Sequence, residues 1–89
     1  MTPRRYDVIL SPRAEKQFDE LAKPLQRRIT EALEGLESNP RPHGVKKLAG
    51  AENLWRIRAG DYRVVYTIED NRLIVLVVKI GHRREIYRG

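Results

Sequence analysis

Residues 73–80 read LIVLVVKI, apolar at seven of eight positions, and no other stretch of the 89-residue chain constrains its fold as strongly. A run this short and this rich in branched side chains predicts a strand covered on both faces, interior to a sheet. The two segments before it alternate instead. In Leu54–Arg58, Trp55 and Ile57 point one way and Arg56 and Arg58 the other. In Tyr62–Glu69, Tyr62, Val64, Tyr66 and Ile68 share one face, and Arg63, Val65 and Thr67 the reverse. Ala59-Gly60-Asp61 supplies a tight turn, and Asp70-Asn71 reads as a two-residue hairpin loop. Gly81 is expected to end the last strand, with His82–Arg88 as a short basic tail. Three consecutive strands thus build a core on one face and gather arginines on the other.

The N-terminal half reads as cover for that sheet. Tyr6, Val8 and Leu10 alternate with Asp7 and Ile9, a pattern of period two that predicts one more strand. Ser11-Pro12 is a helix start, an N-cap oxygen followed by a residue preset for the first helical position. Ala14, Phe18 and Leu21 then form one apolar stripe, and Lys23-Pro24 breaks the helix. A second helix from Pro24 to about Ser38 repeats Leu25, Ile29, Ala32, Leu33 and Leu36 at helical spacing. The two prolines and the glycine of Asn39–Gly44 end it and form a linker. In the Lys46-Lys47-Leu48 that follows, Leu48 serves as an anchor. The predicted fold class is α+β in the order β-α-α-β-β-β, a helical hairpin packed on one face of a small antiparallel sheet.

A chain of this length builds one small core, so residues 1–89 are read as a single domain. Cysteine is absent, which removes disulfides and thiolate metal sites and fits a cytoplasmic setting. No apolar run approaches the roughly 20 residues of a membrane-spanning helix, so no membrane role is expected. The net charge is +6, unevenly placed: residues 1–44 hold 8 Lys or Arg against 7 Asp or Glu, and residues 45–89 hold 10 against 5. A positive field concentrated in the sheet half points to a polyanion.

The chemistry follows from which side chains share the open face. Arg56 and Arg58 lie two residues apart on one strand, with Arg63 across the hairpin, so their guanidinium groups converge. Guanidinium forks match phosphate oxygens. A solvated face with arginines kept for solubility is the plainer reading; Arg83 and Tyr87, able to reach the same end of the sheet, weigh against it. The carboxylates are scattered over turns, and Ser11 and Ser38 are helix-end residues, so neither a metal site, a cofactor nor a serine nucleophile is expected. Any reaction is then metal-free and acts on a phosphodiester. RNA carries its own nucleophile, the 2′-hydroxyl, which a protein needs only to orient while stabilising the charged phosphorane. Arginine is no base, leaving Tyr87 and His82 for proton transfer. His43 is read as structural.

The run KKLAG, then LWRIRAGDYRVVY, then the apolar strand and GHRREIYR, resembles the RelE family of toxins from prokaryotic toxin–antitoxin modules, within the wider RelE/ParE fold. The resemblance covers nearly the whole chain. It implies a toxin that cleaves messenger RNA in the ribosomal A site and is held inactive by a cognate RelB-like antitoxin. Operator DNA would be reached only through the antitoxin complex. Arg56 and Arg58 fall on two basic strand positions that are lysine in the best-known member, Arg63 on the arginine of the YR-V-Y strand, and Arg83 and Tyr87 on the arginine and tyrosine of the C-terminal segment. The resemblance assigns phosphate binding and transition-state stabilisation to the arginines, and proton transfer or base stacking to Tyr87. Lys46, Lys47, His82 and Arg84 are expected to contact RNA or the ribosome. ParE relatives share the fold and poison DNA gyrase by protein contact, so a non-enzymatic gyrase inhibitor is the alternative. A nucleic-acid-binding module active only with its antitoxin is the third reading.

Overall fold

The computed structural model describes residues 5–48, 50 and 53–82. Along them the order is β1 (Asp7–Leu10), α1 (Pro12–Asp19), α2 (Lys23–Ser38), β2 (Lys46–Lys47), β3 (Trp55–Ala59), β4 (Tyr62–Glu69) and β5 (Ile74–His82). Ser11 caps α1 as its sequence position requires, its Oγ accepting from the Ala14 amide at 3.2 Å. Both helices carry proline in the first turn.

The strands form one sheet in the order β1-β5-β4-β3-β2. The apolar strand β5 is interior, as its composition demands. The α+β class and the packed helices match the sequence reading, and the sheet departs from it in detail. The sheet is antiparallel from β5 to β2 but mixed overall, because β1 runs parallel to β5, with Asp7 opposite Ile74 and Leu10 opposite Val77. Lys46-Lys47, assigned to no element from the sequence, adds a short edge strand. Ala14, Ile29 and Leu36 from the helices meet Ile57, Val64, Tyr66, Val75, Val77 and Ile80 from the sheet in one buried core.

A β-bulge in β5 sets which side chains face the helices. Val65 pairs with Lys79 and Tyr66 with Val77, which leaves Val78 unmatched. Strict alternation from Val75 and Val77 would drive Lys79 into the core; the extra residue re-phases the strand, so Ile80 is buried and Lys79 faces outward. Helix α1 supplies partners for the irregular backbone: Gln17 Oε1 accepts from the Ile80 amide at 2.7 Å, and Ser11 Oγ lies 3.5 Å from the Val78 carbonyl. The same strand continues through Gly81 to His82 rather than ending at Gly81.

The β4–β5 connection is Asp70–Leu73, four residues rather than two, with Leu73 in the left-handed region at φ 53°. Asp70 ties it to residues outside the hairpin. Its carboxylate accepts from both Nη atoms of Arg41 (3.1 and 3.0 Å) and from the Tyr6 hydroxyl (2.7 Å), tying the linker and the N-terminal strand to the turn. The Asp70 carboxylate raises the Arg41 pKa further, and the Arg41 guanidinium also lies 5.0 Å from the Trp55 ring centre.

Tyr66 is fully buried, and its hydroxyl donates to the buried Pro40 carbonyl at 2.7 Å. Burial pushes its pKa from 10.0 to about 12, partly offset by Arg41. The neutral hydroxyl therefore contributes stability that is fully present below about pH 10 and is lost as the pH rises to about 12. Tyr66→Phe is expected to cost about 1–3 kcal/mol at neutral pH by orphaning the Pro40 acceptor. Thermal melting of both proteins across the alkaline range checks this, and the gap between them should close as Tyr66 ionises. A gap constant with pH would contradict the burial argument.

Candidate nucleic-acid interface

The open face of the sheet carries the basic residues that alternation assigned to it. Lys46 pairs with Arg56 across β2–β3, and Arg58 pairs with Arg63 across β3–β4. Directly opposed like charges destabilise a sheet, yet the fold sustains both pairs side by side. Together with Gly44, these four cations line one depression of about 230 Å³. Arg63 is only 9% exposed, so its guanidinium is held at the floor, with Nη1 3.4 Å from the Tyr62 carbonyl. Arg58 donates from Nε to the Gly60 carbonyl at 3.1 Å, anchored beside the turn.

That turn favours glycine by its backbone, and the end of a helix side chain lies close against it. Gly60 has φ +63°, and a Cβ there would lie 2.6 Å from Nη1 of Arg28, which reaches across from α2. Arg28 extends the positive surface beyond the depression; nothing in its helical spacing distinguished it from any other exposed helix arginine.

Of the residues singled out from sequence, Arg56, Arg58, Arg63 and Lys46 come together. Lys47 does not. As the next residue on β2 it faces the other way, with Nζ 5.7 Å from the Trp55 ring centre. His82 also lies apart from the depression. It pairs with Tyr62 and meets that ring edge-on, centroids 5.6 Å apart and planes at 82°, whereas Gly81 is the residue opposite Arg63. The bulge at Val78 is the cause, since it sets the face taken by every later residue of β5. Arg83, Arg84 and Tyr87 lie outside the described residues. Gly44, the last residue of the segment read as a linker, forms part of the wall.

Among the described residues, no group of three or more His, Asp or Glu is placed to hold a metal ion. No helix there is long and apolar enough to cross a membrane.

Comparison with known proteins gives the same assignment from both sequence and fold. The family model for the ParE toxin of the type II toxin–antitoxin system parDE matches residues 8–87. Toxin RelE of Mycobacterium tuberculosis is 32% identical over 84 residues, covering 93% of this chain and 87% of its own. The mRNA interferase toxin RelE of Escherichia coli K12 is 28% identical over 86 residues, covering 92% and 90%. Among solved structures, the archaeal RelE–RelB complex from Pyrococcus horikoshii superposes with a TM-score of 0.78 at 32% identity, covering 89% of this chain and 96% of that one. A model match across nearly the full length, a curated relative above 30% identity and the shared fold place this chain in the RelE/ParE superfamily of type II toxin–antitoxin toxins.

Proposed function

We propose that this protein is an mRNA interferase, the toxin of a toxin–antitoxin pair, and that it cuts messenger RNA in the ribosomal A site without a metal ion. The observation that carries the reading is the depression lined by Lys46, Arg56, Arg58 and Arg63. Four cations held against their mutual repulsion form a preorganised anion site. The scissile phosphate sits there. The adjacent 2′-hydroxyl loses its proton and attacks phosphorus in line; the bond to the 5′-oxygen of the next nucleotide breaks and that oxygen takes up a proton, leaving a 2′,3′-cyclic phosphate. The guanidinium groups stabilise the charge that builds on the non-bridging oxygens. Arg83 joins this set and Tyr87 moves the proton or stacks on a base, by the resemblance of the C-terminal segment. With His82 turned to the helices, Tyr87 is the better source of the proton step. Lysine at the positions of Arg56 and Arg58 would offer an amine able to exchange a proton; arginine restricts these two to electrostatics. The relative named as an mRNA interferase, 28% identical over 86 residues, supports the same activity.

The partner is a RelB-like antitoxin. The archaeal structure at 32% identity is a RelE–RelB complex, and a basic, partly open sheet face suits an acidic segment that orders on binding.

The name of the matching family model favours a second reading, a ParE-like inhibitor that acts by contact with DNA gyrase. Expression without the partner separates the two. Growth arrest with shortened translated messages, read by primer extension, is the expected result. Induction of the DNA-damage response with messages intact would instead support the gyrase reading.

A further inference from the structure

A second recess adjoins the basic depression. It encloses about 440 Å³ between α2, the Pro42–Gly44 segment and the outer edge of β3, and it shares Gly44 and Arg58 with the depression. Two features hold it open. β2 pairs with β3 only at Trp55 and Arg56, so among the described residues no strand covers the outer edge of β3 from Ile57 to Ala59. Helix α2 contributes Ala32 and Gly35 to the wall, and a Cβ built at Gly35 meets nothing within 4 Å. Glycine destabilises a helix interior relative to alanine, and here neither a positive φ nor a close neighbour requires it. The space over Gly35 is open.

The chemistry of the walls narrows the occupant. Ala32, Pro42 and Ile57 are apolar, while His43 offers a flat ring and Glu31 an acceptor carboxylate. A mostly apolar recess with a few polar groups is the usual composition of a small-ligand site. Every residue lining the adjoining depression apart from Gly44 is cationic, so the molecule that fills both spaces carries an anion at one end and a flat, hydrogen-bonding body at the other. A nucleotide has that form.

We propose that the recess receives the base of a nucleotide whose phosphate occupies the basic depression, with His43 stacking on the base and Glu31 accepting from its exocyclic amino group. The proposal rests on reading the depression as a phosphate site. It assigns base discrimination to α2 and the linker, since carboxylates read amino groups on base edges and uracil has none.

The test is calorimetric titration of the purified protein, at low salt, with uncleavable 2′-deoxy dinucleotides and with inorganic phosphate. Dinucleotides placing cytosine in the recess should bind more tightly than those placing uracil, and both more tightly than phosphate. Gly35→Leu fills the recess with a helix-compatible side chain and is expected to weaken dinucleotide binding about tenfold or more, the range of one base stack, with phosphate affinity unchanged. Glu31→Ala should erase the preference for cytosine, and His43→Ala should weaken both dinucleotides alike. A folded Gly35→Leu protein that binds dinucleotides as wild type does overturns the proposal. So does one that keeps dinucleotide binding and loses a copurifying protein partner, which would make the recess a protein-docking surface. If phosphate binding is absent in wild type or indifferent to Arg56→Gln, the phosphate site itself is wrong and the base subsite falls with it.

Discussion

Arg63→Gln is expected to lower message cleavage by about 10²–10³-fold, the usual cost of removing one preorganised donor from a developing oxyanion, while the protein stays folded. The residue lies at the floor of the depression, 9% exposed and directly opposite Arg58. It is too deeply set for another surface cation to replace it. Removing it also removes a like-charge pair, so the melting temperature should hold or rise. Activity falling while stability is maintained would identify Arg63 as retained for chemistry. Primer extension on ribosome-bound messages gives the first quantity and thermal denaturation the second; cleavage within a few-fold of wild type in a folded variant would remove the assigned role.

Ile29→Ala should bring the largest loss of stability, about 2–5 kcal/mol for a buried aliphatic truncated to alanine. Ile29 is 1% exposed and belongs to the buried cluster where α2 meets the sheet. Against a total on the order of 5–15 kcal/mol for a small domain, such a loss leaves little margin. At roughly 4–8 °C per kcal/mol for a domain this size, the melting temperature should fall by on the order of 10–40 °C. Chemical denaturation should show a lower midpoint with an unchanged slope. A shift of only a few degrees would mean that the helical hairpin unfolds separately from the sheet.

Much of the site was legible because strand alternation is a geometric rule. Arg56 and Arg58 had to share a face, and the short turn at Gly60 had to bring Arg63 beside them. The helices were legible from their apolar stripes and from Ser11-Pro12. Side chains whose placement depends on events elsewhere were not. Lys46 and Lys47 are neighbours in a two-residue strand, so one enters the depression and the other turns to Trp55; with the strand unrecognised, the pair read as one basic patch. His82 depends on the bulge, which a nearly continuous apolar run conceals, because every phase of LIVLVV looks equally buried. The four-residue hairpin depends on Asp70 being held by Arg41 and Tyr6, partners 29 and 64 positions away in the chain. Alternation also says nothing about strand neighbours, so the parallel placement of β1 left no mark in the local pattern.

That parallel placement has a consequence for synthesis. β1 has no lateral hydrogen-bonding partner until β5 exists, and Ser11 and Gln17 have no bulge to hold until Val78 and Ile80 have been made. Pairings this remote in sequence form late and slowly. A ribosome translating this message therefore carries an incomplete sheet until the whole of β5, Ile74–His82, has been made.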